Sequence, residues 1–204
     1  ASLSPWVDLR VMPKEAIAAV DHQTHRRFLK THLPADAMVI SPKAKYIYVA
    51  RDGRDAVWSA YNHFAKAKPE IFDMLNNTPG RAGPEILPPG PSVHEYYRQW
   101  FASDGYPMWS FWENIWWEIR HLPNVMLVHF SDLKRDLPGS IREIAAFLEI
   151  DIDEDKFPAI VEHSSFDYMK RHAHLAAPLG GVIWEGGAST FINKGTNGRW
   201  RDTL

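Results

Sequence analysis

Two short runs constrain the fold most: Tyr46-Ile47-Tyr48-Val49-Ala50 and Val125-Met126-Leu127-Val128-His129-Phe130. Both are rich in β-branched and aromatic residues, and the first has no polar alternation at all. A strand without a polar face reads as buried on both sides, which is the habit of parallel sheets. The first run stops at Arg51-Asp52-Gly53. A helix is expected beyond it, over about 54–66, with Asp52 as its N-cap, because a carboxylate there can accept an orphan amide of the first turn.

Further helices are expected at 14–22, at about 94–121 in a Trp-rich stretch, and at about 138–149 and 154–162. A short apolar strand is expected at Arg27-Phe28-Leu29, running into a polar turn closed by Pro34. Residues 67–93 are crowded with proline and glycine, including Pro88-Pro89-Gly90-Pro91, and read as a cap or loop insertion. The tail from Pro178 onward is glycine-rich with little periodicity. Strands alternating with helices give the α/β class, a parallel sheet covered by helices, in one domain over 1–204. Ligands of such sheets sit at the C-terminal strand ends. Two chemically loaded segments fall there, Arg51 to Ser59 and Phe130 to Asp132.

Composition narrows the chemistry. The 204 residues are 45% hydrophobic and 24% charged, ordinary for a globular domain with a sizeable core. A net charge of -2 argues against a general nucleic-acid binder, so any anion site must be local. The absence of cysteine excludes a disulfide scaffold, a thiolate nucleophile and Cys-ligated metal, and it fits a cytoplasmic location. No stretch reaches the roughly 18 apolar residues of a membrane span, and no signal peptide is visible. His172-Ala173-His174 has no carboxylate partner in sequence, and no metal is expected.

Three segments carry candidate chemistry. Lys30-Thr31-His32 places an imidazole two residues after a cation: a base for a hydroxyl beside a charge neutraliser, or a surface loop with a packed His. Arg51 to Ser59 combines a guanidinium, a hydroxyl and helix-N-terminal amides, which together suit a phosphate, or else forms an Arg–Asp surface pair. Asn193-Lys194-Gly195-Thr196-Asn197-Gly198-Arg199 can wrap amides and cations around an anion, or is a flexible tail. Trp112, Trp116 and Trp117 have helical spacing and read first as core.

Taken in order, these segments resemble the cytosolic-type sulfotransferase family, which uses 3′-phosphoadenosine-5′-phosphosulfate (PAPS). Lys30-Thr31-His32-Leu33-Pro34 resembles the catalytic stretch. Tyr48-Val49-Ala50-Arg51, with Ser59 and Tyr61-Asn62-His63-Phe64 behind it, resembles the 3′-phosphate segment. Val128-His129-Phe130-Ser131-Asp132-Leu133 and His163-Ser164-Ser165-Phe166 resemble the adenine side, and Lys194 to Trp200 the C-terminal glycine motif.

The resemblance implies an α/β fold of the P-loop-NTPase-like kind, a three-layer sandwich with a central parallel sheet flanked by helices. It implies His32 as the base and Lys30 beside the leaving oxygen. It assigns Arg51, Ser59, Lys194 and Gly195 to the 3′-phosphate, places Asn193 beside them in the donor site, and gives Phe130, Ser164 and Phe166 to the nucleoside side. Tyr106, Trp109 and Trp112 are expected at the acceptor, a small or lipid-like hydroxyl. The co-substrate is PAPS, leaving as 3′-phosphoadenosine-5′-phosphate (PAP), with no metal and no nucleic acid. A homodimer is compatible with it.

Three departures stand out. Asn193 replaces the family's Arg, with Arg199 as a neighbouring cation, and Phe130 replaces a tyrosine. The family's loop for the 5′-phosphosulfate has no counterpart, so the chain reads as N-terminally incomplete. A catalytically degenerate binding module and a small-molecule kinase of related fold are the competing readings.

Overall fold

A computed structural model describes residues 4–8, 14–81, 84–102 and 115–204. Two strands, β1 (Tyr46–Ala50) and β2 (Val125–His129), pair in parallel with Tyr46 opposite Val125 and Ala50 opposite His129. The helices are α1 (Lys14–Ala18), α2 (Gly53–Ala65), α3 (Pro69–Asn76), α4 (Val93–Ala102), α5 (Phe130–Arg135), α6 (Leu137–Leu148), α7 (Phe157–His163), α8 (Phe166–Arg171), α9 (Ala173–Ala176) and α10 (Ala188–Phe191). Single 3-10 turns follow α1 and occupy Ala35–Ala37, Pro178–Gly181 and Arg199–Asp202.

The core lies against one face of the strand pair. Ala35, Trp116 and Val125 are buried together, with Tyr46, Tyr48 and Leu127 packed on them. The Tyr48 and Trp116 rings stack at 5.3 Å. Asn124 fixes the entry to both strands: its Nδ2 donates to Ser41 O at 3.0 Å and to Ala44 O at 2.9 Å, and its carbonyl accepts from Tyr46 N at 2.8 Å. The opposite face is barer than the sequence suggests. Side chains alternate along a strand, so Ile47 and Val49 point away from Trp116, and Val49 is 54% exposed. Among the described residues, β1 is therefore not buried on both faces.

The chain leaves β1 as expected. The Asp52 side chain accepts from Arg54 N, capping α2. Two expectations change. Arg27-Phe28-Leu29 does not form a strand: Phe28 and Leu29 are about half exposed, and the one ladder contact is a parallel bridge between Trp6 and Lys30. Lys30 N donates to Pro5 O at 3.1 Å, and Pro5 has no N–H with which to extend the ladder.

Segment 67–93 is not loop throughout, because α3 opens it. Pro69 sits in the first helical turn, where its missing N–H costs nothing, and Phe72 is buried against Phe64. The loop after α3 is held by Asn76, which donates to Ile86 O at 2.9 Å and accepts from Ile86 N at 2.8 Å. Of the long Trp-rich helix, α4 and a helical turn at 115–118 are seen, and residues 103–114 lie outside the described part. Trp116 is core, whereas Trp117 is 58% exposed under Arg120.

Candidate functional site

A cleft of about 620 Å³ opens where the C-terminal ends of β1 and β2 meet α2, α8 and the C-terminal loop. Arg51, Ser59, Phe130, Phe166, Asn193, Lys194 and Gly195 all line it. These residues come from four separated stretches of sequence, and the fold brings them to one place. Arg51 reaches it because β1 ends one residue earlier, and Ser59 because it lies on the second turn of α2. Phe130 opens α5 directly after β2, and Phe166 opens α8 behind its N-cap Ser165, whose side chain accepts from Tyr168 N.

Arg51 ties the cleft together. Its Nη2 donates to Thr196 O at 3.0 Å, and its guanidinium lies 4.8 Å from the Phe130 ring centre. Its Nε is buried and makes no hydrogen bond. Burial pulls the guanidinium below its ordinary pKa. Asp55 opposes that, Arg199 adds to it, and Asp52 opposes it more weakly. A half-desolvated guanidinium with an unused N–H is suited to an oxyanion.

Gly195 explains why the loop can approach at all. Its φ is +61°, and a Cβ there would collide with the Phe166 ring. The loop amides therefore pass directly over an aromatic face. Lys134 and Lys170 stand 5.5 and 5.7 Å from that same ring. Aromatic surfaces at Phe130 and Phe166, with cations around them, suit a flat base joined to phosphates. The residues present thus fit a phosphorylated nucleoside.

Ser164 is exposed at the C-terminal end of α7 and does not line the cleft. It is the C-cap of that helix and stands apart from Phe166 and the other cleft residues expected to meet the nucleoside. Lys30 and His32 also stand outside the lining. They gather instead around Trp6: Lys30 Nζ lies 4.4 Å from the Trp6 ring centre, and the His32 and Trp6 ring centres are 4.1 Å apart. Partial desolvation beside Trp6 lowers the pKa of His32, which stays on the surface; Lys30 lowers it further, and Asp8 opposes both. Burial also lowers the Lys30 ammonium, against the pull of Asp8. The Lys30 charge adds to the depression of His63, a cleft residue lowered mainly by its own burial. Tyr106, Trp109 and Trp112 lie outside the described residues.

Sequence reasoning placed His63 and Arg199 near the phosphate segments but missed Asp55, Trp58, Trp184 and Phe191 as cleft residues. His63 packs edge-on to Trp184 at 5.0 Å and to Phe191 at 6.0 Å, and Trp184 is 2% exposed. Arg199 lies 4.0 Å from the Trp58 ring centre. Asp55 is buried at 3% exposure. The surface Arg–Asp pair weighed for this segment also exists, but it is Arg54 with Asp52, Nη2 to Oδ2 at 2.7 Å. A smaller recess of about 350 Å³ lies on the far side of α2, between Tyr61, Phe64, Phe72 and Pro88–Pro91. Among the described residues, no helix is long and apolar enough to cross a membrane.

Comparison with known proteins agrees with this geometry. The family model described as "Sulfotransferase domain" matches residues 1–204. A glycolipid sulfotransferase of Mycobacterium bovis is 30% identical over 226 residues, covering 98% of this chain and 69% of that protein. Sulfotransferase 1A1 of Rattus norvegicus is 30% identical over 186 residues, covering 87% of this chain and 57% of the relative. Among solved structures, retinol dehydratase in a complex with retinol and PAP superposes with a TM-score of 0.69 at 27% identity, covering 94% of this chain. The chain spans 52% of that structure's length. A mouse sulfotransferase complexed with PAP gives a TM-score of 0.70 at 22% identity, over 94% of this chain and 64% of the other, which is a likeness of fold. The cleft, the order of its motifs and these matches agree: the chain belongs to the sulfotransferase family.

Proposed function

We propose that the protein transfers a sulfuryl group from PAPS to a hydroxyl of a small or lipid-like acceptor. One observation carries the reading. Arg51 from a strand end, Ser59 from α2, and Lys194 with Gly195 from the C-terminal loop meet in a single cleft flanked by Phe130 and Phe166. That set suits the 3′-phosphate and base of the donor. Likeness to glycolipid and cytosolic sulfotransferases supports the same reaction class.

The donor supplies an activated sulfuryl group, and sulfuryl transfer resembles phosphoryl transfer in needing mostly positioning and charge stabilisation. Arg51, Ser59, Lys194 and the Gly195 amide hold the 3′-phosphate. Phe166 and Phe130 receive the base. His32 accepts the acceptor's hydroxyl proton, and its lowered pKa keeps the imidazole neutral and ready as a base. Lys30, held on Trp6, supplies positive charge beside it. Neither role requires a metal. The acceptor is expected against the proline-rich segment 67–93 and Tyr106, Trp109 and Trp112, aromatic and apolar residues that favour phenols, alcohols or lipid-like hydroxyls. A cysteine-free chain suits the cytoplasm as its location.

The test is transfer of radiolabelled sulfuryl from PAPS to phenol, sterol and glycolipid panels, with calorimetric titration of PAP in parallel. Label in one acceptor class together with PAP binding supports the reading. ATP binding in preference to PAP would favour the kinase alternative and overturn it.

A further inference from the structure

Asp55 has the wrong sign for its place. It lines an anion cleft, and a carboxylate there works against any phosphate. It is also 3% exposed, and burying a carboxylate is costly unless its oxygens are paired. Only one is. Oδ2 accepts the Gly198 N–H at 2.7 Å, short as charge-assisted bonds are, across 143 residues of sequence. Oδ1 is buried with no hydrogen-bond partner. Among the described residues, no Lys or Arg stands within ion-pair distance of it. A group so placed calls for a reason other than ligand contact.

The reason lies in what Gly198 does. Its φ is +77°, and it caps the 3-10 turn Arg199–Asp202. That left-handed residue turns the loop so that Arg199 covers Trp58 at 4.0 Å and Trp200 lies under Arg54 at 3.7 Å. Arg54, Asp55 and Trp58 are all on α2. Two residues upstream, Thr196 O is held by Arg51. The loop is thus fixed to β1 and α2 at 196, 198, 199 and 200, immediately after Lys194 and Gly195.

We infer that Asp55 is a positioning residue: it latches the C-terminal loop onto α2 through the Gly198 amide, and so holds Lys194 and Gly195 where a bisphosphate donor needs them. The inference rests on the sulfotransferase reading for the identity of the donor, but the latch itself does not.

The two roles a carboxylate could play here give opposite results with asparagine. Asn keeps an oxygen for Gly198 N–H and loses the charge. If Asp55 acts as a latch, Asp55→Ala weakens PAP binding by roughly tenfold or more, while Asp55→Asn binds PAP as tightly as wild type or tighter. Trypsin then cuts after Arg199 and Arg201 faster in Asp55→Ala, and at the wild-type rate in Asp55→Asn. Equal PAP affinity in Asp55→Ala and wild type overturns the inference, as does an equal loss in both variants. If Asp55→Ala does not fold, hydrogen exchange on the wild type decides: a protected Gly198 amide supports the latch, and an unprotected one overturns it. A wild type that fails to bind PAP at all sinks the donor assignment, and the trypsin and exchange results then judge the latch alone.

Discussion

The Nη2 of Arg51 donates to the carbonyl of Thr196 at 3.0 Å, joining the end of the first strand to a loop 145 residues later. The same guanidinium packs over Phe130 at the end of the second strand. One side chain therefore brings together both strand ends and the glycine-rich loop, while its buried Nε keeps a free donor.

Arg51→Ala is expected to weaken PAP binding by about 10- to 100-fold, the worth of one or two charge-assisted hydrogen bonds. Calorimetry checks it. An unchanged affinity would mean that the guanidinium serves the loop and not the ligand.

The His32 assignment has a pH signature. Partial desolvation beside Trp6 and the charge of Lys30 both lower its pKa, so the imidazole stays neutral to lower pH than a free histidine near 6.5. The acid limb of kcat/KM is therefore expected below about pH 6.5. Lys30→Met removes a cation, raises the His32 pKa and moves that limb upward. His32→Ala is expected to lower kcat by about 10²- to 10⁴-fold with PAP affinity retained. A His32→Ala protein with a wild-type rate would remove the base.

Gly195→Ala combines a left-handed φ of +61° with a collision at Phe166. The backbone term alone is about 1 kcal/mol, which for a domain of this size corresponds to a Tm loss of roughly 2–4 °C. PAP binding should fall with it, because either the loop or the Phe166 ring must move. A variant with unchanged Tm and PAP affinity would contradict the close approach.

Stability should fall on the acid side. Burial lowers His63 in the folded chain, and partial desolvation lowers the more exposed His32 in the same direction. As pH drops below about 6.5, the unfolded chain takes up protons that the folded chain does not, so unfolding becomes easier. The stability is fully present above the unfolded pKa and lost as pH falls towards the folded values. Thermal melts between pH 7.5 and 5.5 test this. His63→Gln should flatten the slope, and an unaltered slope would exclude His63 as a contributor.

The strands, the Asp52 cap and the main helices were legible because each is a local pattern: an apolar run, a capping residue, a 3.6-residue period. The cleft was legible through its motifs, and Arg51, Ser59 and Lys194 do converge. Asp55 was not, because its partner Gly198 is 143 residues away and nothing in the sequence marks it as buried. An acidic residue one helical turn after a strand-end arginine was the available signal. Trp184, and its packing on His63, escaped for a similar reason. That packing depends on Ile183–Glu185 running back beside Lys66–Lys68, with Glu185 N donating to Lys66 O at 2.8 Å, a tertiary pairing with no periodic trace. The expected strand at 27–29 finds no ladder among the described residues: beyond the Trp6–Lys30 bridge Pro5 has no N–H to continue one, a long-range feature the local apolar run does not carry.

The most direct measurement is a crystal structure with PAP bound. Expected is the 3′-phosphate within about 2.7–3.2 Å of the Arg51 guanidinium and the Ser59 hydroxyl, with the base against Phe166. A phosphate seated elsewhere, with Arg51, Ser59 and Lys194 all free of it, would contradict the assignment of this cleft.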